Sequence, residues 1–123
     1  MVERGRGTIL FTGSSASLTG IAGCTELCCG KFALRALSQC LAREFQPYGV
    51  HVAHVIIEGV IGLPRYRPCL RIVEEQQQQI IAHEGDGSMD PDGLAKIYWQ
   101  LHTQERTAWT QEIDLRPANS RLW

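Results

Sequence analysis

The cysteines and histidines are the first side chains that could do chemistry, because thiolates and imidazoles bind transition metals. The chain has five cysteines, at positions 24, 28, 29, 40 and 69. Their spacing contains no Cys-x-x-Cys pair and no second pair that would complete four ligands. His51 and His54 lie in an apolar segment at a spacing that a strand turns to opposite faces. The pattern therefore predicts free thiols and no metal site.

Ser14 is the other candidate for chemistry, because it follows Gly13 and opens the run Ser-Ser-Ala-Ser. Asp114 and a histidine would complete a hydrolase triad with it. The sequence around Ser14 lacks the Gly-x-Ser-x-Gly turn that exposes such a nucleophile. A hydrolase is therefore not favoured, and the role of Ser14 depends on the elements that position it.

Three elements surround Ser14 in the sequence. Residues 7–13 are apolar and bounded by glycines, which predicts a buried strand. Residues 25–46 contain no proline and predict an amphipathic helix that Pro47 and Gly49 end. Residues 50–57 are β-branched and nearly continuous in apolar character, as in a strand covered on both faces. Strand, helix and strand form a parallel βαβ unit with a right-handed crossover.

The two sides of the helix differ in character. The apolar stripe consists of Phe32, Ala33, Ala36, Leu37, Cys40 and Leu41. The opposite side carries Arg35, Ser38, Gln39, Ala42, Arg43 and Gln46. The stripe is wider than two strands need as a cover, so we expect part of it to meet a partner.

The rest of the chain predicts further α/β elements. Residues 58–68 contain several glycines and prolines and are predicted to be a loop, followed by a helix over 69–84. Asp90 before Pro91 is typical of a helix N-cap, and the apolar spacing that follows predicts a helix over 91–104. Residues 109–115 alternate weakly and predict a last strand.

The ordered segments 7–17, 31–37 and 50–59 resemble the short-chain dehydrogenase/reductase family over nearly the whole chain. The part resembled is that family's C-terminal half. The resemblance implies an α/β fold with a partial Rossmann-like parallel sheet, in the order strand, helix, strand, helices, strand. Residues 1–123 are then one truncated domain that lacks the N-terminal dinucleotide-binding half. The implied activity is that of an NAD(P)-dependent oxidoreductase of alcohols or carbonyls.

The family's catalytic residues map onto three positions of this chain. In the family a serine holds the substrate carbonyl, a tyrosine transfers the proton, and a lysine one helical turn later lowers the tyrosine pKa and bonds the nicotinamide ribose. The resemblance places Ser14 on the serine and Lys31 on the lysine. Counting forward from Ser14 and back from Lys31 leads to Leu27, which has no proton to give. The resemblance therefore implies a catalytic site that lacks the tyrosine proton donor.

Four neighbours are candidates to replace the missing proton donor. Glu26 and Cys28 project about 100° around the helix from position 27. Tyr48 lies past the helix, and Tyr66 lies in the loop after the second strand. Leu27 is therefore interpreted as a packing residue.

The family's cofactor contacts are only partly matched. The resemblance aligns Gly59, Val60 and Ile61 with backbone that meets the nicotinamide carboxamide, but Glu58 stands where proline is usual and Leu63 where threonine is usual. The Gly-rich phosphate loop would lie upstream of residue 1. NAD or NADP is implied by the resemblance, with weakened contact from this chain.

Composition excludes several classes of function. Lys and Arg number 12 against 13 Asp and Glu, a net charge of −1, which argues against nucleic-acid binding. No segment reaches the roughly 18 apolar residues of a membrane helix, and the start of the chain lacks a signal-peptide pattern. An odd number of cysteines without a secretory signal indicates reduced thiols and a cytoplasmic location.

Three hypotheses about function stay open. The first is an oxidoreductase that is degenerate or inactive as a lone chain. The second is a non-catalytic module that self-associates, or binds a full-length relative, through helix 25–46. The third is a truncated gene product without a separate function.

Overall fold

The computed structural model describes residues 1–61 and 88–118, so the helix predicted over 69–84 lies outside the described residues. The elements, in chain order, are β1 Gly7–Ser14, α1 Thr25–Phe45, β2 Val50–Ile57, β3 Val60–Ile61, β4 Ser88–Met89, α2 Pro91–His102 and β5 Glu112–Leu115. Five of them, β1, α1, β2, α2 and β5, confirm the predicted elements to within a few residues.

The central sheet is parallel, with β2 between β1 and β5. Gly7 pairs with Val50 and Ser14 with Ile57, so the carboxyl ends of β1 and β2 lie side by side. All of β2 is buried, which confirms the prediction of a strand covered on both faces. This parallel sheet with its helices confirms the α/β, Rossmann-like fold class.

Helix α1 turns its less apolar side to the sheet. Ser38 is fully buried, and Ala42 packs against β2. Phe32 and Leu37, from the apolar stripe, keep 44% and 46% of their surface exposed. An apolar stripe normally faces the core, and we expected part of this one to cover the sheet, but only its last member, Leu41, packs there. The small side chains at 38 and 42 allow close approach, which explains the orientation.

Helix α2 begins where the sequence predicts. The carboxylate of Asp90 accepts the backbone N–H groups of Asp92 and Gly93 at 3.2 and 3.3 Å, which confirms it as the N-cap. Leu94 and Leu101 are buried in a cluster with residues of β2. No helix within the described residues has the length and hydropathy that crossing a bilayer requires.

Strands β3 and β4 form a separate two-stranded parallel sheet. Val60 and Ile61 were expected in a loop, so the loop prediction for 58–68 is wrong at these two residues. A two-residue strand is too short to show a period in the sequence. Its position is set by pairing with Ser88 and Met89, far along the chain.

Candidate functional site

The candidate site lies at the carboxyl ends of β1 and β2, the edge at which open parallel sheets bind ligands. Ser14 is the last residue of β1, and Glu58 and Gly59 directly follow β2. Because Ser14 pairs with Ile57, the parallel register brings these segments together. Ser14 also opens a 3-10 turn over Ser15–Ser17.

The backbone and hydroxyl of Ser14 are both held by this turn. Its Oγ accepts the N–H of Ala16 at 3.2 Å, and its own N–H donates to Ser17 Oγ at 3.0 Å. Ser14 and Ser17 also form a reciprocal capping box, in which each side chain accepts the backbone N–H of the other residue. A serine hydroxyl has one proton and two lone pairs. The oxygen of Ser14 is therefore fixed, and its proton remains to be donated to a ligand.

Lys31 reaches the same end of β1 from α1. Its Nζ donates to the backbone oxygen of Thr12 at 3.2 Å, just before Ser14 in the strand. An ammonium carries three protons, so this bond leaves two for another acceptor. The structure thus brings Ser14 and Lys31 together at one strand end.

Leu27 lies one helical turn before Lys31 and packs into an apolar cluster. The cluster consists of Ala16, Cys24 and Cys28, with Ile21 against it. The thiol of Cys28 accepts the N–H of Ile21 and donates to the carbonyl of Thr19 at 3.8 Å, so it holds the turn before the helix. Tyr48 is 55% exposed beyond the other end of α1, and Tyr66 lies outside the described residues.

The segment predicted to meet a nicotinamide ring is packed against the second sheet. A Cβ added at Gly59 would lie 3.0 Å from Met89 Sδ and 3.2 Å from Pro117 Cδ, so glycine permits this close contact. Val60 and Ile61 pair with β4 through their backbone. The backbone of Val60 and Ile61, which the resemblance assigns to the cofactor, is therefore already paired with β4.

Glu58, in the place where the family usually has proline, is a buried carboxyl at the end of β2. Its side chain lies near Arg116 and Asp114, which are themselves bonded at 2.9 Å. Burial raises the pKa of Glu58; the charge of Arg116 acts to lower it, and the charge of Asp114 acts to raise it. Asp114 is bonded to Arg116, not to a histidine, which removes the motivation for a hydrolase triad.

An ion-pair network below this edge was not predicted. Glu112 on β5 accepts Arg35 Nε at Oε2 and Arg35 Nη2 at Oε1, both at 2.9 Å. The same Oε2 lies 2.9 Å from His54 Nδ1. The hydrogen bond from Arg35 lowers the pKa of Glu112, burial opposes this, and the bond to His54 adds to the lowering.

The sequence held one signal for this network. His54 interrupts an apolar strand, and a buried imidazole requires a polar partner. The partner was not visible, because it depends on the pairing of His54 with Glu112 in the sheet. Arg35 was placed on the polar side of α1 and was expected to face away from the core.

The other metal-ligating side chains stay apart. His51 Nε2 bonds the carbonyl of Thr110 at 2.7 Å, and its ring stacks on Trp109 at 4.8 Å between centroids. Within 1–61 and 88–118, no three histidine, cysteine or acidic side chains gather in a metal-binding arrangement.

Comparisons with known proteins find a matching family model and similar sequences. The family model described as short chain dehydrogenase matches residues 1–62, just over half of the chain. The 3-dehydrosphinganine reductase of Danio rerio is 42% identical over 101 residues, which cover 79% of this chain and 28% of that protein. The chain therefore spans less than a third of this relative's length.

Solved structures show the same fold. The short-chain dehydrogenase from Rhodopseudomonas palustris is 36% identical, with a TM-score of 0.67, and the match covers 95% of this chain and 41% of that one. A serine dehydrogenase complexed with NADP+ has a TM-score of 0.75 at 20% identity, covering 95% of this chain and 46% of that one. At this identity the second likeness concerns the fold alone.

Proposed function

The chain belongs to the short-chain dehydrogenase family, and we propose that it carries part of an NAD(P)-dependent site for alcohols or carbonyls in which the proton-donor position is blocked. In this proposal Ser14 donates its hydroxyl proton to the substrate carbonyl, and Lys31 binds the nicotinamide ribose. Leu27 occupies the position of the acid, so the chain by itself has little or no turnover. The observation that carries the proposal is the convergence of Ser14 and Lys31 beside a packed Leu27.

The residues present fit the cofactor in part. Lys31 has two ammonium protons beyond its bond to Thr12, which suits a ribose hydroxyl. Gly59 allows close approach, but Val60 and Ile61 already pair with β4. The NAD(P) group, when bound, supplies or accepts the hydride. The contribution of this chain is to hold the substrate oxygen and the ribose.

The test is to restore the missing acid. Leu27→Tyr places a phenol one turn before Lys31, where the ammonium lowers the phenol pKa. Leu27→Phe is the matched control, because it adds the ring without the hydroxyl. General acid catalysis contributes about 10²–10⁴-fold to a rate. We therefore expect Leu27→Tyr to raise NADPH-dependent carbonyl reduction at least about a hundredfold over both the unmodified chain and Leu27→Phe.

Three results would contradict this proposal. No gain of Leu27→Tyr over Leu27→Phe would mean that the site lacks more than a proton donor. Clear turnover by the unmodified chain would mean that the reaction does not depend on a proton donor at position 27. Failure of all three proteins to bind NADPH, followed by cofactor fluorescence, would remove the proposed role of Lys31. Lys31→Ala in the Leu27→Tyr background provides the matching loss-of-function control.

A second proposed function is self-association through the exposed side of α1. With 100° between successive residues, the stripe from Phe32 to Cys40 lies opposite the side that packs on the sheet. Two copies placed antiparallel, with a two-fold axis between positions 34 and 35, would match their residues in pairs. The pairs are Phe32 with Leu37, Ala33 with Ala36, Cys29 with Cys40, and Glu26 with Arg43.

This pairing favours a second copy as the occupant. Apolar groups meet apolar groups, and the acidic residue near one end of the helix meets the basic residue near the other end, as an isologous contact requires. Small residues at 33 and 36 allow the two axes to approach to about 8 Å. Both thiols of the Cys29–Cys40 pair are exposed and would fall near the roughly 4–7 Å Cα separation of a disulfide.

Mild oxidation tests this arrangement. Diamide should cross-link the unmodified chain into a dimer on non-reducing gels. Neither Cys29→Ser nor Cys40→Ser should cross-link at this interface, because each remaining cysteine would then face a serine. Cys28→Ser is the control, because the Cys28 thiol is buried. Phe32→Glu should give a monomer in sedimentation at tens of micromolar. A monomeric unmodified chain at that concentration, or one that dimerises only with a full-length relative, would exclude self-association.

We also propose a cytoplasmic location. The four cysteines among the described residues, Cys24, Cys28, Cys29 and Cys40, are all free thiols. Reducing compartments keep thiols in this state. Labelling of Cys29 and Cys40 by a thiol reagent in intact cells would test it, and oxidised thiols there would count against it.

A further inference from the structure

His54 has one ring nitrogen whose bonding is incomplete. The side chain is fully buried in the middle of β2. Nδ1 faces Glu112 Oε2 at 2.9 Å, while Nε2 has no hydrogen-bond partner among the described residues. A buried polar atom without a partner destabilises the fold by about 1–3 kcal/mol. Native proteins keep few such atoms, so a partner for Nε2 is expected nearby.

The turn that holds Ser14 lies beside Nε2. A Cβ added at Gly13 would overlap His54 Nε2 and would lie 2.7 Å from Ser17 Oγ, so these two atoms are neighbours across the bare α-carbon of Gly13. Ser17 is itself fully buried. Its oxygen accepts the N–H of Ser14, which leaves the Ser17 proton in need of an acceptor.

The protonation of the ring follows from its other neighbour. Glu112 receives two N–H groups from Arg35 and is an ionised acceptor. The nitrogen that faces it must therefore be the donor, so Nδ1 carries the proton. In the neutral ring Nε2 is then an acceptor. Ser17 has a donor without an acceptor, and His54 has an acceptor without a donor, at adjacent positions.

We infer that His54 is a positioning residue for Ser14, through a hydrogen bond from the Ser17 hydroxyl to Nε2 that forms after a small side-chain shift, because the two atoms are neighbours but are not bonded in this structure. Arg35 and Glu112 fix the ring, the ring fixes the Ser17 hydroxyl, and the Ser17 oxygen holds the backbone of Ser14. The inference rests on the proposed function only in the use it gives to Ser14, which is to bind the substrate carbonyl. This series of contacts, from Arg35 through Glu112, His54 and Ser17 to Ser14, is called the relay below. It joins α1, β5, β2 and β1 at the carboxyl edge of the sheet.

The first measurement uses the unmodified full-length chain. Nitrogen-15 NMR of the histidine rings should show His54 protonated at Nδ1, with the Nε2 resonance displaced as for a nitrogen that accepts a hydrogen bond. In Ser17→Ala this displacement should disappear. A His54 ring that carries its proton on Nε2, or an Nε2 resonance that Ser17→Ala leaves unchanged, overturns the inference.

The second measurement follows amide hydrogen exchange at Ser14. Loss of one partner of a buried hydrogen bond corresponds to about a tenfold change in a local opening equilibrium. Ser17→Ala and His54→Asn should therefore speed Ser14 exchange about tenfold or more, with Val52 in mid-strand unchanged. His54→Asn keeps a donor near the Nδ1 position and removes Nε2. Ser15→Ala is the control, because Ser15 lies in the same turn outside the relay.

Every outcome decides between positioning and plain packing. Equal acceleration in Ser15→Ala, or no acceleration in the other two variants, refutes the relay. If Ser14 and Val52 accelerate together, the variant opens globally, and the ring protonation of the unmodified chain decides alone. Neither readout uses turnover, so a failure of Leu27→Tyr to gain activity would refute the proposed function and leave the relay standing.

Discussion

Replacement of Glu112 by glutamine tests how strongly the network holds the last strand to the rest of the fold. Glutamine keeps the shape of the side chain but has one carbonyl oxygen for the three N–H groups that the carboxylate now accepts from Arg35 and His54. The amide NH₂ also presents a donor where an acceptor is required. At least one buried donor is therefore left without a partner.

The magnitude follows from the exposure of the groups. The side chains of Arg35 and Glu112 keep 34% and 23% of their surface exposed. Exposed ion pairs contribute about 0.2–1 kcal/mol, and breaking a buried pair costs about 3–5 kcal/mol. This pair lies between the two cases, and His54 is fully buried. We expect Glu112→Gln to lower the free energy of unfolding by about 2 kcal/mol at pH 7.

The loss should depend on pH. The pKa of Glu112 in the folded chain is below its ordinary value of 4.5, chiefly because of the hydrogen bond from Arg35. A lowered folded pKa stabilises the fold above the unfolded pKa, and this stabilisation is lost as the pH falls through the folded value. The difference between Glu112→Gln and the unmodified chain should therefore be constant near neutral pH and shrink below about pH 4.5.

Urea unfolding followed by tryptophan fluorescence measures this difference. With a denaturant slope of about 1–3 kcal/mol per molar, the midpoint should fall by about 1 M at pH 7. Asp114→Asn is the matched control, because Asp114 is on the same strand and is more exposed than Glu112, at 38% against 23%. Its bond is to Arg116 and does not satisfy a buried histidine, so the change should alter stability by less than about 0.5 kcal/mol. Equal losses in both variants, or a Glu112→Gln loss that persists unchanged at pH 3, would refute the reasoning.

Three further predictions use the same unfolding assay. Gly13→Ala places a Cβ against His54 and Ser17 and should destabilise the fold by about 1–3 kcal/mol. Gly30→Ala adds a Cβ that meets no atom within 4 Å in mid-helix, so it should stabilise the fold by about 0.5–1 kcal/mol. A change of the same sign in both variants would contradict the steric argument. Asp90→Ala removes both N-cap bonds of α2 and should cost about 1 kcal/mol, and an unchanged midpoint would mean that the cap contributes nothing. Glu58→Gln should stabilise the chain at pH 7, because burial raises the pKa of Glu58. A carboxyl with a raised folded pKa contributes stability that is lost as the pH rises. The gain from Glu58→Gln should therefore vanish below about pH 4.5, and a gain that grows at low pH would contradict this reasoning.

The elements were predictable because their local patterns are strong. Apolar runs bounded by glycine predicted β1 and β2, and Asp90 with Pro91 predicted the start of α2. The candidate site positions followed from the resemblance, and the structure places Ser14 and Lys31 at one strand end.

What the sequence could not provide depends on contacts between distant segments. The orientation of α1 is decided by Arg35 reaching Glu112 and by the small side chain of Ser38, not by the width of an apolar stripe. Strand β3 exists only because β4 pairs with it. The partner of His54 is set by the register of the sheet, and a single sequence contains no information on register between strands that are far apart.

The pairing of the central strand with the last strand has a consequence for the order of folding. His54 meets Glu112 across 58 positions and Arg35 meets it across 77, so these contacts carry high contact order and form slowly. During synthesis β1, α1 and β2 leave the ribosome before β5 and meet while His54 still lacks its acceptor. Until Glu112 emerges, the growing chain must therefore either bury the His54 imidazole without its carboxylate partner or leave β2 unformed.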